Sequence, residues 1–227
     1  MKSEIIVISV GGSLIVPGHI DIDFLKGFRN LILRHLKLGK RFIIITGGGR
    51  TSRNYQEAAR SVVSVDPEDL DWIGIHGTRL NAHLFRTIFK KEAHKNFIKH
   101  PEEKFNFTEK VLLAAGWKPG FSTDYDATVL ARKFKVKKII NLSNINFVYT
   151  KDPNKYKTAK KLEEVSWKQF RKIVGSKWSP GLNAPFDPVA AKECEKHGIT
   201  VCLANGQNLK NVDRVLSGKK FIGTTIK

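Results

Sequence analysis

Short runs of apolar, mostly β-branched residues alternate along the chain with longer amphipathic stretches. The apolar runs cover residues 5–10, 41–46, 111–115, 138–142, 200–204 and 221–226. Such continuous runs are typical of buried parallel strands. In the stretches between them, apolar residues recur every three or four positions, as at Phe24, Phe28 and Leu31, which indicates helices. The alternation predicts an α/β fold, with helices on both faces of a central, mainly parallel sheet.

Residues that favour helix termini stand at the ends of the amphipathic stretches. Asp23 is predicted to cap the first long helix, and Asp66-Pro67 opens another. Thr123 is predicted to begin a helix that runs to about residue 133, and Thr123 with Asp126 resembles a capping box. Further helices are predicted over residues 51–61, 167–174, 188–197 and 209–216, and irregular segments over 94–106, 144–161 and 179–185.

The composition is that of a globular protein, with 227 residues of which 41% are hydrophobic. No stretch reaches the roughly 18 apolar residues that a membrane helix needs. No small-residue cleavage site follows the first apolar run, so neither a membrane span nor a signal peptide is predicted. The two cysteines, Cys194 and Cys202, form no metal-binding pattern and suggest a reducing cytoplasm.

The formal net charge of +19 is compatible with three explanations. These are nucleic-acid binding, a polyphosphate substrate, and a basic surface with no specific ligand. The lysines are dispersed in pairs, and no block of five like charges occurs. We therefore do not expect specific nucleic-acid binding.

Two glycine-rich segments directly follow predicted strands. Gly11-Gly12-Ser13 follows the first strand, and Gly47-Gly48-Gly49 follows the second. Ligands of open α/β sheets bind beyond the carboxyl ends of the strands, where glycine exposes backbone N–H groups and a helix N-terminus favours anions. Two such turns therefore predict two phosphate-bearing ligands that face each other. Tight strand-to-helix turns without a ligand are the alternative.

The known phosphate-binding motifs do not match these turns. The chain contains no G-x-x-x-x-G-K-[ST] sequence. The second turn has Ser52 where the dinucleotide motif G-x-G-x-x-G requires its last glycine, and it follows the second strand rather than the first. An oxidoreductase of the Rossmann type is therefore not favoured.

Six motifs occur in order along nearly the whole chain: V-G-G-S-L (10–14), T-G-G-G-R-T-S-R (46–53), G-I-H-G-T-R-L-N-A (74–82), P-G-F-S-T-D (119–124), N-I-N-F-V-Y-T-K-D-P (144–153) and F-D-P-V-A-A-K (186–192). Together they resemble the motifs of the amino acid kinase superfamily, and within it those of UMP kinases of archaeal and bacterial type. The resemblance implies one three-layer α/β/α domain over residues 1–227, with a mainly parallel sheet of about eight strands. An acceptor-binding lobe would cover about 1–135 and an ATP-binding lobe about 136–227.

The activity that the resemblance implies is transfer of the γ-phosphoryl group from ATP to UMP. Mg²⁺ would accompany ATP and be held mainly by its phosphates, with no direct protein ligand assigned. The partners would be the nucleotides UMP and ATP and further copies of the chain, in a hexamer built as a trimer of dimers. Neither a membrane nor a specific nucleic acid would be a partner.

On the acceptor side, the resemblance implies that the backbone of Gly48 and Gly49 holds phosphate oxygens and that Arg53 clamps the UMP phosphate. Asp71 would accept hydrogen bonds from the ribose hydroxyls, and Thr123 would contact the acceptor phosphate. The alternative for Arg53 is an exposed helix arginine, and for Asp71 a first-turn carboxylate stabilised by the helix dipole.

The implied ATP-binding residues are Gly11, Gly12, Ser13, Asn144, Tyr149 and Asp152. The implied catalytic residues are Asp124, Lys160 and Lys161. Asp124 would organise the lysines and the metal, and the lysines would lie near the ATP phosphates. Asp187 is expected mainly to cap the helix that follows it.

The chain departs from the family pattern at several positions. Ser9 stands where many members have a lysine that neutralises the transferred group, and Lys160, Lys161 or Lys118 would have to replace it. Asn146 and Phe147 replace a usual aspartate and glycine in the donor segment. A kinase with another acceptor and a catalytically inactive nucleotide sensor are therefore kept as alternatives.

Overall fold

The computed structural model describes residues 4–176 and 184–227, so residues 179–183 of the predicted loop lie outside the described residues. The strands are β1 (Ile5–Val10), β2 (Arg41–Thr46), β3 (Val111–Ala114), β4 (Lys138–Ser143), β5 (Val148–Tyr149), β6 (Lys161–Leu162), β7 (Glu164–Val165), β8 (Thr200–Asn205) and β9 (Thr224–Ile226). The helices are α1 (Gly12–Ile15), α2 (Ile22–Lys37), α3 (Gly49–Val62), α4 (Pro67–Ile88), α5 (Thr123–Lys133), α6 (Trp167–Val174), α7 (Pro188–His197) and α8 (Leu209–Leu216). No helix in these ranges is long and apolar enough to cross a membrane.

The predicted mainly parallel sheet is confirmed. Seven strands of the described chain pair in the order β3-β2-β1-β4-β8-β9-β7. The first five are parallel, β9 runs antiparallel to β8, and β7 is parallel to β9. β5 and β6 form a separate antiparallel pair inside the segment that the sequence predicted to be irregular.

The order of the strands reverses between β1 and β4. From β1 the chain continues to β2 and β3 on one side, and it returns at β4 to build the other side. In open α/β sheets, such a reversal leaves a crevice at the carboxyl ends of the two central strands, where ligands bind. The fold therefore points to the ends of β1 and β4 as the place to search for a site.

Two hydrophobic cores lie on opposite faces of the sheet and produce three layers. Along β1, Ile6 and Ile8 belong to one core and Val7 to the other, because successive side chains of a strand point to opposite faces. The first core includes Phe28 of α2 and residues of α4 and α8. The second includes Phe170 of α6 and residues of α5 and α7. The predicted three-layer sandwich is thus observed.

Two predicted helix caps are wrong. The side chain of Asp21, and not that of Asp23, accepts the N–H of Phe24 at 2.8 Å and caps α2. At α5 the capping side chain is Ser122, which accepts the N–H of Tyr125 at 3.1 Å. Thr123 and Asp126 form no capping box, because Asp126 lies buried and bonds to another segment.

Asp21→Ala is expected to lower the free energy of unfolding by about 1 kcal/mol, because it leaves the N–H of Phe24 without its acceptor. Asp23→Ala, in the first turn of the same helix, is the matched control. It should cost at most a few tenths of a kcal/mol, since it loses only the interaction with the helix dipole. Urea denaturation of both variants checks the assignment, and equal losses would contradict it.

Candidate active site

The two glycine turns at the ends of β1 and β2 touch each other through their backbones. A Cβ atom built on Gly12 would lie 1.9 Å from the backbone nitrogen of Gly49, and one on Gly49 would lie 2.1 Å from the carbonyl oxygen of Gly12. Gly49 has a φ of +62°, a left-handed conformation that favours glycine. The absence of side chains is therefore required by this contact, whether or not phosphate also binds there.

Helix α4 holds the second glycine turn in place. The amide of Asn81 donates to the carbonyl oxygens of Gly47 at 2.8 Å and Gly48 at 3.1 Å. The hydroxyl of Thr46 donates to the carbonyl oxygen of Thr78 at 3.1 Å. The N–H groups of Gly47 and Arg50 donate to the carbonyl oxygens of Val10 and Val16, so the N–H groups of Gly48 and Gly49 are the ones in this turn that suit an anion.

Asp124 is the centre of a polar cluster at the ends of β1 and β4. Its Oδ1 accepts the hydroxyl of Ser9 on β1 at 3.0 Å and the amide of Asn141 on β4 at 2.9 Å. Its Oδ2 accepts the N–H of Asp187 at 3.3 Å. The cluster spans the reversal of strand order and so places one carboxyl group in the expected crevice.

Burial, and to a smaller extent the nearby carboxylate of Asp187, raise the pKa of Asp124 from 3.8 to about 7, although the hydrogen bonds from Ser9, Asp187 and Asn141 oppose the shift. Asp187 itself accepts the N–H groups of Val189 and Ala190 and the hydroxyl of Ser122. The prediction that Asp187 caps α7 is confirmed. It also holds Ser122, directly before α5, and thereby helps to position Asp124.

A loop at residues 116–120 is attached to α4 and α5 at several points. Arg79 donates to the carbonyl oxygens of Gly116 and Trp117, and Asp126 accepts the N–H of Trp117 at 3.1 Å. Asp71 accepts the N–H of Gly120 at 2.7 Å. Burial raises the pKa values of Asp71 and Asp126, so both carboxyl groups favour the protonated form more than an exposed aspartate does.

These contacts change the interpretation of Asp71. Asp71 is the fifth residue of α4, and its side chain is buried. Its carboxyl group accepts a hydrogen bond from the loop that precedes Thr123 and so holds that loop in place. Thr123 begins α5 next to Asp124 and is half-buried. The structure thus brings Asp71, Thr123 and Asp124 to the same loop-helix junction.

Arg53 lies exposed on α3, within one turn of Gly49. Arg50, by contrast, pairs with Glu57 at 3.2 Å on the surface of the same helix. Ser13 is the second residue of α1, beside Gly12. Ser52 fills the space next to Gly48 and donates to the carbonyl oxygen of Gly74 at 2.9 Å, which closes α3 against α4.

The predicted donor residues lie on and around the β5-β6 pair. Tyr149 is paired with Lys161 across the two strands, and Lys160 is exposed beside it. The ammonium of Lys161 lies 2.9 Å from Glu163 and 4.9 Å from the ring centroid of Phe147. Within residues 4–176 and 184–227, neither lysine hydrogen-bonds to or pairs with Asp124.

Asn144, before β5, and Asp152, in the connection between β5 and β6, are both exposed. The carboxylate of Asp152 accepts the N–H of Asn154 at 2.9 Å, and its carbonyl oxygen accepts the N–H of Tyr156. Asp152 therefore stabilises a turn between β5 and β6. Its side chain remains accessible at the surface, where the sequence predicted a contact with ATP.

Comparison with known proteins agrees with this geometry. The sequence profile of the Amino acid kinase family matches residues 4–205. The chain belongs to the amino acid kinase family. It is 34% identical over 99% of its length to a uridylate kinase from Thermoplasma volcanium, 98% of which is covered. It is 31% identical over 97% of its length to a uridylate kinase from Pyrococcus abyssi, with 98% of that protein covered.

Solved structures of this family include a close structural match. The uridylate kinase from Archaeoglobus fulgidus superimposes with a TM-score of 0.83 at 28% identity, covering 99% of this chain and 100% of that one. The seven-stranded, mainly parallel sheet flanked by helices is therefore the amino acid kinase fold.

Sequence reasoning missed Asn141 and treated Ser9 only as a missing lysine. Both are buried and both donate to Asp124. The signal available in the sequence was the position of each polar residue near the carboxyl end of an otherwise apolar strand. In this member of the amino acid kinase family, Ser9 thus supplies a hydroxyl group that orients the central carboxyl group.

Gly12→Ala is expected to destabilise the protein by about 1–3 kcal/mol, as overpacked sites do, because its Cβ would collide with the backbone of Gly49. Gly18→Ala is the control, since nothing lies within 4 Å of a Cβ there. The control should change the free energy of unfolding by less than about 0.5 kcal/mol. Urea denaturation measures both, and a Gly12→Ala variant as stable as the control would contradict the contact.

The raised pKa of Asp124 predicts a pH dependence of stability. Between 3.8 and about 7 the folded protein retains a proton that the unfolded chain has lost. This group's contribution is therefore complete below the unfolded value and is lost as the pH rises through the folded value. Asp124→Asn should reduce the fall in unfolding free energy between about pH 4 and about pH 8, measured by urea denaturation.

Asp69→Asn provides the control for this experiment, because Asp69 is an exposed residue in the first turn of α4. It should leave the pH dependence of the unfolding free energy unchanged. An identical pH dependence in the wild type and Asp124→Asn would show that the carboxyl group of Asp124 does not titrate in this range.

Proposed function

We propose that this protein is a UMP kinase, which transfers the γ-phosphoryl group of ATP to UMP and releases UDP and ADP. The observation that carries the proposal is the position of Asp124. It bonds to Ser9, two residues before the first glycine turn, and to Asn141 on β4. The family relatives named uridylate kinase, aligned over nearly the full chain, support UMP as the acceptor.

The acceptor lobe, about residues 1–135, would bind UMP. Arg53 near the start of α3 would grip the phosphate, since a guanidinium group can donate to two oxygens at once. The backbone N–H groups of Gly48 and Gly49 and the hydroxyl of Thr123 would complete its contacts. The carboxylate of Asp71 that would bind the ribose already accepts the N–H of Gly120. We therefore propose that Asp71 both contacts the ribose and positions the loop at residues 116–120.

The donor lobe, about residues 136–227, would bind ATP. Gly11, Gly12 and Ser13 would receive its phosphates at the end of β1. Asn144, Tyr149 and Asp152 would hold the nucleoside along the β5-β6 pair. Lys160 and Lys161 are exposed on that pair and would supply the positive charge that Ser9 does not, since phosphoryl transfer depends on positioning and charge neutralisation.

The carboxyl groups present fit a magnesium ion that arrives with ATP. Asp124 and Asp187 offer hard oxygen atoms of the kind that Mg²⁺ binds, and their mutual repulsion would be relieved by a cation. The hydrogen bonds already made to Asp124 favour a contact through water, with the ATP phosphates as the main ligands. When bound, the ion would neutralise negative charge on the phosphoryl group.

We further propose a homo-oligomer, arranged as a hexamer of three dimers, and a cytoplasmic location for pyrimidine nucleotide synthesis. The apolar side chains of Tyr55, Val62 and Leu80 are exposed on α3 and α4, which supports burial of this face in a dimer. Cys194 and Cys202 are buried and unpaired, which suits a reducing compartment.

One observation favours a second function, that of an inactive nucleotide sensor. Ser9 stands at the position of the usual lysine, and its hydroxyl group is engaged by Asp124. A protein of this kind would bind the nucleotides without turnover. A kinase that acts on another phosphate acceptor would differ from the UMP kinase and from the sensor because it would turn over that acceptor and not UMP.

An assay of ADP release with ATP and Mg²⁺ tests the proposal. UMP, CMP, dTMP, AMP, GMP and isopentenyl phosphate are offered separately as acceptors. We expect turnover with UMP, and Arg53→Ala should raise the KM for UMP by about tenfold or more, as expected for loss of a charged hydrogen bond.

Arg50→Ala is the matched control, because Arg50 lies on the same helix but pairs with Glu57. It should leave the KM within about twofold of the wild type, since exposed ion pairs contribute little. Binding of UMP and ATP without turnover would support the sensor instead. Turnover with a different acceptor alone would contradict the assignment of UMP.

A further inference from the structure

A cleft of about 570 Å³ lies at the opposite edge of the sheet from the glycine turns. Its walls are built by the amino ends of β1 and β4, the segment after α5, and the end of α8. Apolar side chains form much of its lining, among them Ile5, Val136 and Ile140. This volume is in the range of sites for small molecules, roughly 300–1,000 Å³.

The charged groups of this cleft are strongly unbalanced. Four lysines, Lys40, Lys135, Lys137 and Lys138, line it together with a single carboxylate, that of Glu4. Lys40 lies 3.7 Å from Glu4 and also donates to the carbonyl oxygen of Leu216. A concave surface with several charges of one sign raises the local concentration of small ions of the opposite sign.

Two of these lysines have no partner in the part of the chain that the structure describes. Lys137 donates to the carbonyl oxygen of His197 at 2.8 Å. The side chains of Lys135 and Lys138 are exposed and make no hydrogen bond or ion pair with the described residues. Their charges are therefore not used within the fold.

The backbone at Lys135 is the second observation that sets this cleft apart. Lys135 follows the cap of α5 with a φ of +56°, the left-handed conformation that glycine usually provides after a helix. It is the one residue other than glycine with a positive φ in residues 4–176 and 184–227. A side chain at this place costs stability, and such strained positions occur preferentially at functional sites.

We propose that this cleft binds a small phosphorylated molecule that carries at least two negative charges, at a place distinct from the candidate active site. The lysines would contact its phosphate oxygens, and the apolar wall would cover its uncharged part. A small molecule is favoured over a nucleic acid because the four lysines line one cleft of about 570 Å³, together with apolar side chains.

The same three elements connect this cleft to Asp124. β1 leads from Ile5 in the cleft to Ser9, and β4 leads from Lys138 to Asn141, and both ends donate to Asp124. Helix α5 leads from Asp124 itself to Lys133, just before the cleft. A ligand in the cleft would therefore contact β1 and β4, the two strands that hold Asp124 through Ser9 and Asn141, and the segment that directly follows α5.

The test is isothermal titration of the full chain with inorganic tripolyphosphate. The double variant Lys135→Gly with Lys138→Gln removes two cleft charges, and the glycine suits the positive φ at residue 135. Its thermal stability should equal or exceed that of the wild type. Its affinity for tripolyphosphate in the cleft should fall by about tenfold or more, because charged hydrogen bonds are lost.

The pair Lys90→Gln with Lys91→Gln is the control, with the same change in net charge at two exposed lysines after α4. It should leave the affinity within about twofold, since neither lysine lines the cleft and exposed charges are screened by salt. Tripolyphosphate that binds at the glycine turns should bind the wild type and both double variants equally, so it does not affect the difference between their affinities.

Equal losses in both pairs, or no loss in the cleft pair, would overturn the proposal. A 20-nucleotide single strand of DNA is titrated in parallel. If the cleft pair weakens only the binding of the oligonucleotide, the lysines form a nucleic-acid surface and the proposal is also wrong. None of these outcomes depends on whether UMP is the acceptor, because no turnover is measured.

Discussion

The rest of the candidate site depends on the direct contact between the backbones of Gly12 and Gly49. This contact brings the turns after β1 and β2 closer together than any side chain would allow. Asn81 then fixes the second turn from α4, and Ser52 closes α3 against α4. Because these contacts hold the second turn, the N–H groups of Gly48 and Gly49 keep their directions before a ligand arrives, which reduces the cost of binding an anion.

The second constraint on the candidate site is the electrostatic environment of Asp124. Because the pKa of Asp124 is about 7, its carboxyl group is present in both the neutral and the ionised form near neutral pH. Ser9 and Asn141 both orient it, so the uncharged hydroxyl group of Ser9 has a structural task of its own. The positive charge needed for phosphoryl transfer must then come from elsewhere in the chain or from the metal, and the exposed lysines of the β5-β6 pair are the candidates.

Long elements with strong periodicity were predictable, and short elements were not. The bounds of α5, α6, α7 and α8 agree with the sequence pattern, because burial against the sheet requires regular apolar spacing. β5, β6 and β7 contain two residues each and carry no such pattern. The caps at Asp21 and Ser122 were misplaced because each has a second capping residue nearby, and packing decided which one begins the helix.

The sequence by itself determined the α/β class, the glycine turns after two strands, the family, and the presence of Asp124 near them. These features follow from local patterns and from ordered motifs. Only the tertiary structure decided what Asp124 touches, since its bond with Ser9 joins residues 115 positions apart. It also decided that Asp71 fastens a loop and that four lysines line one cleft. Such contacts depend on the strand order of the sheet, which residue spacing along the chain does not encode.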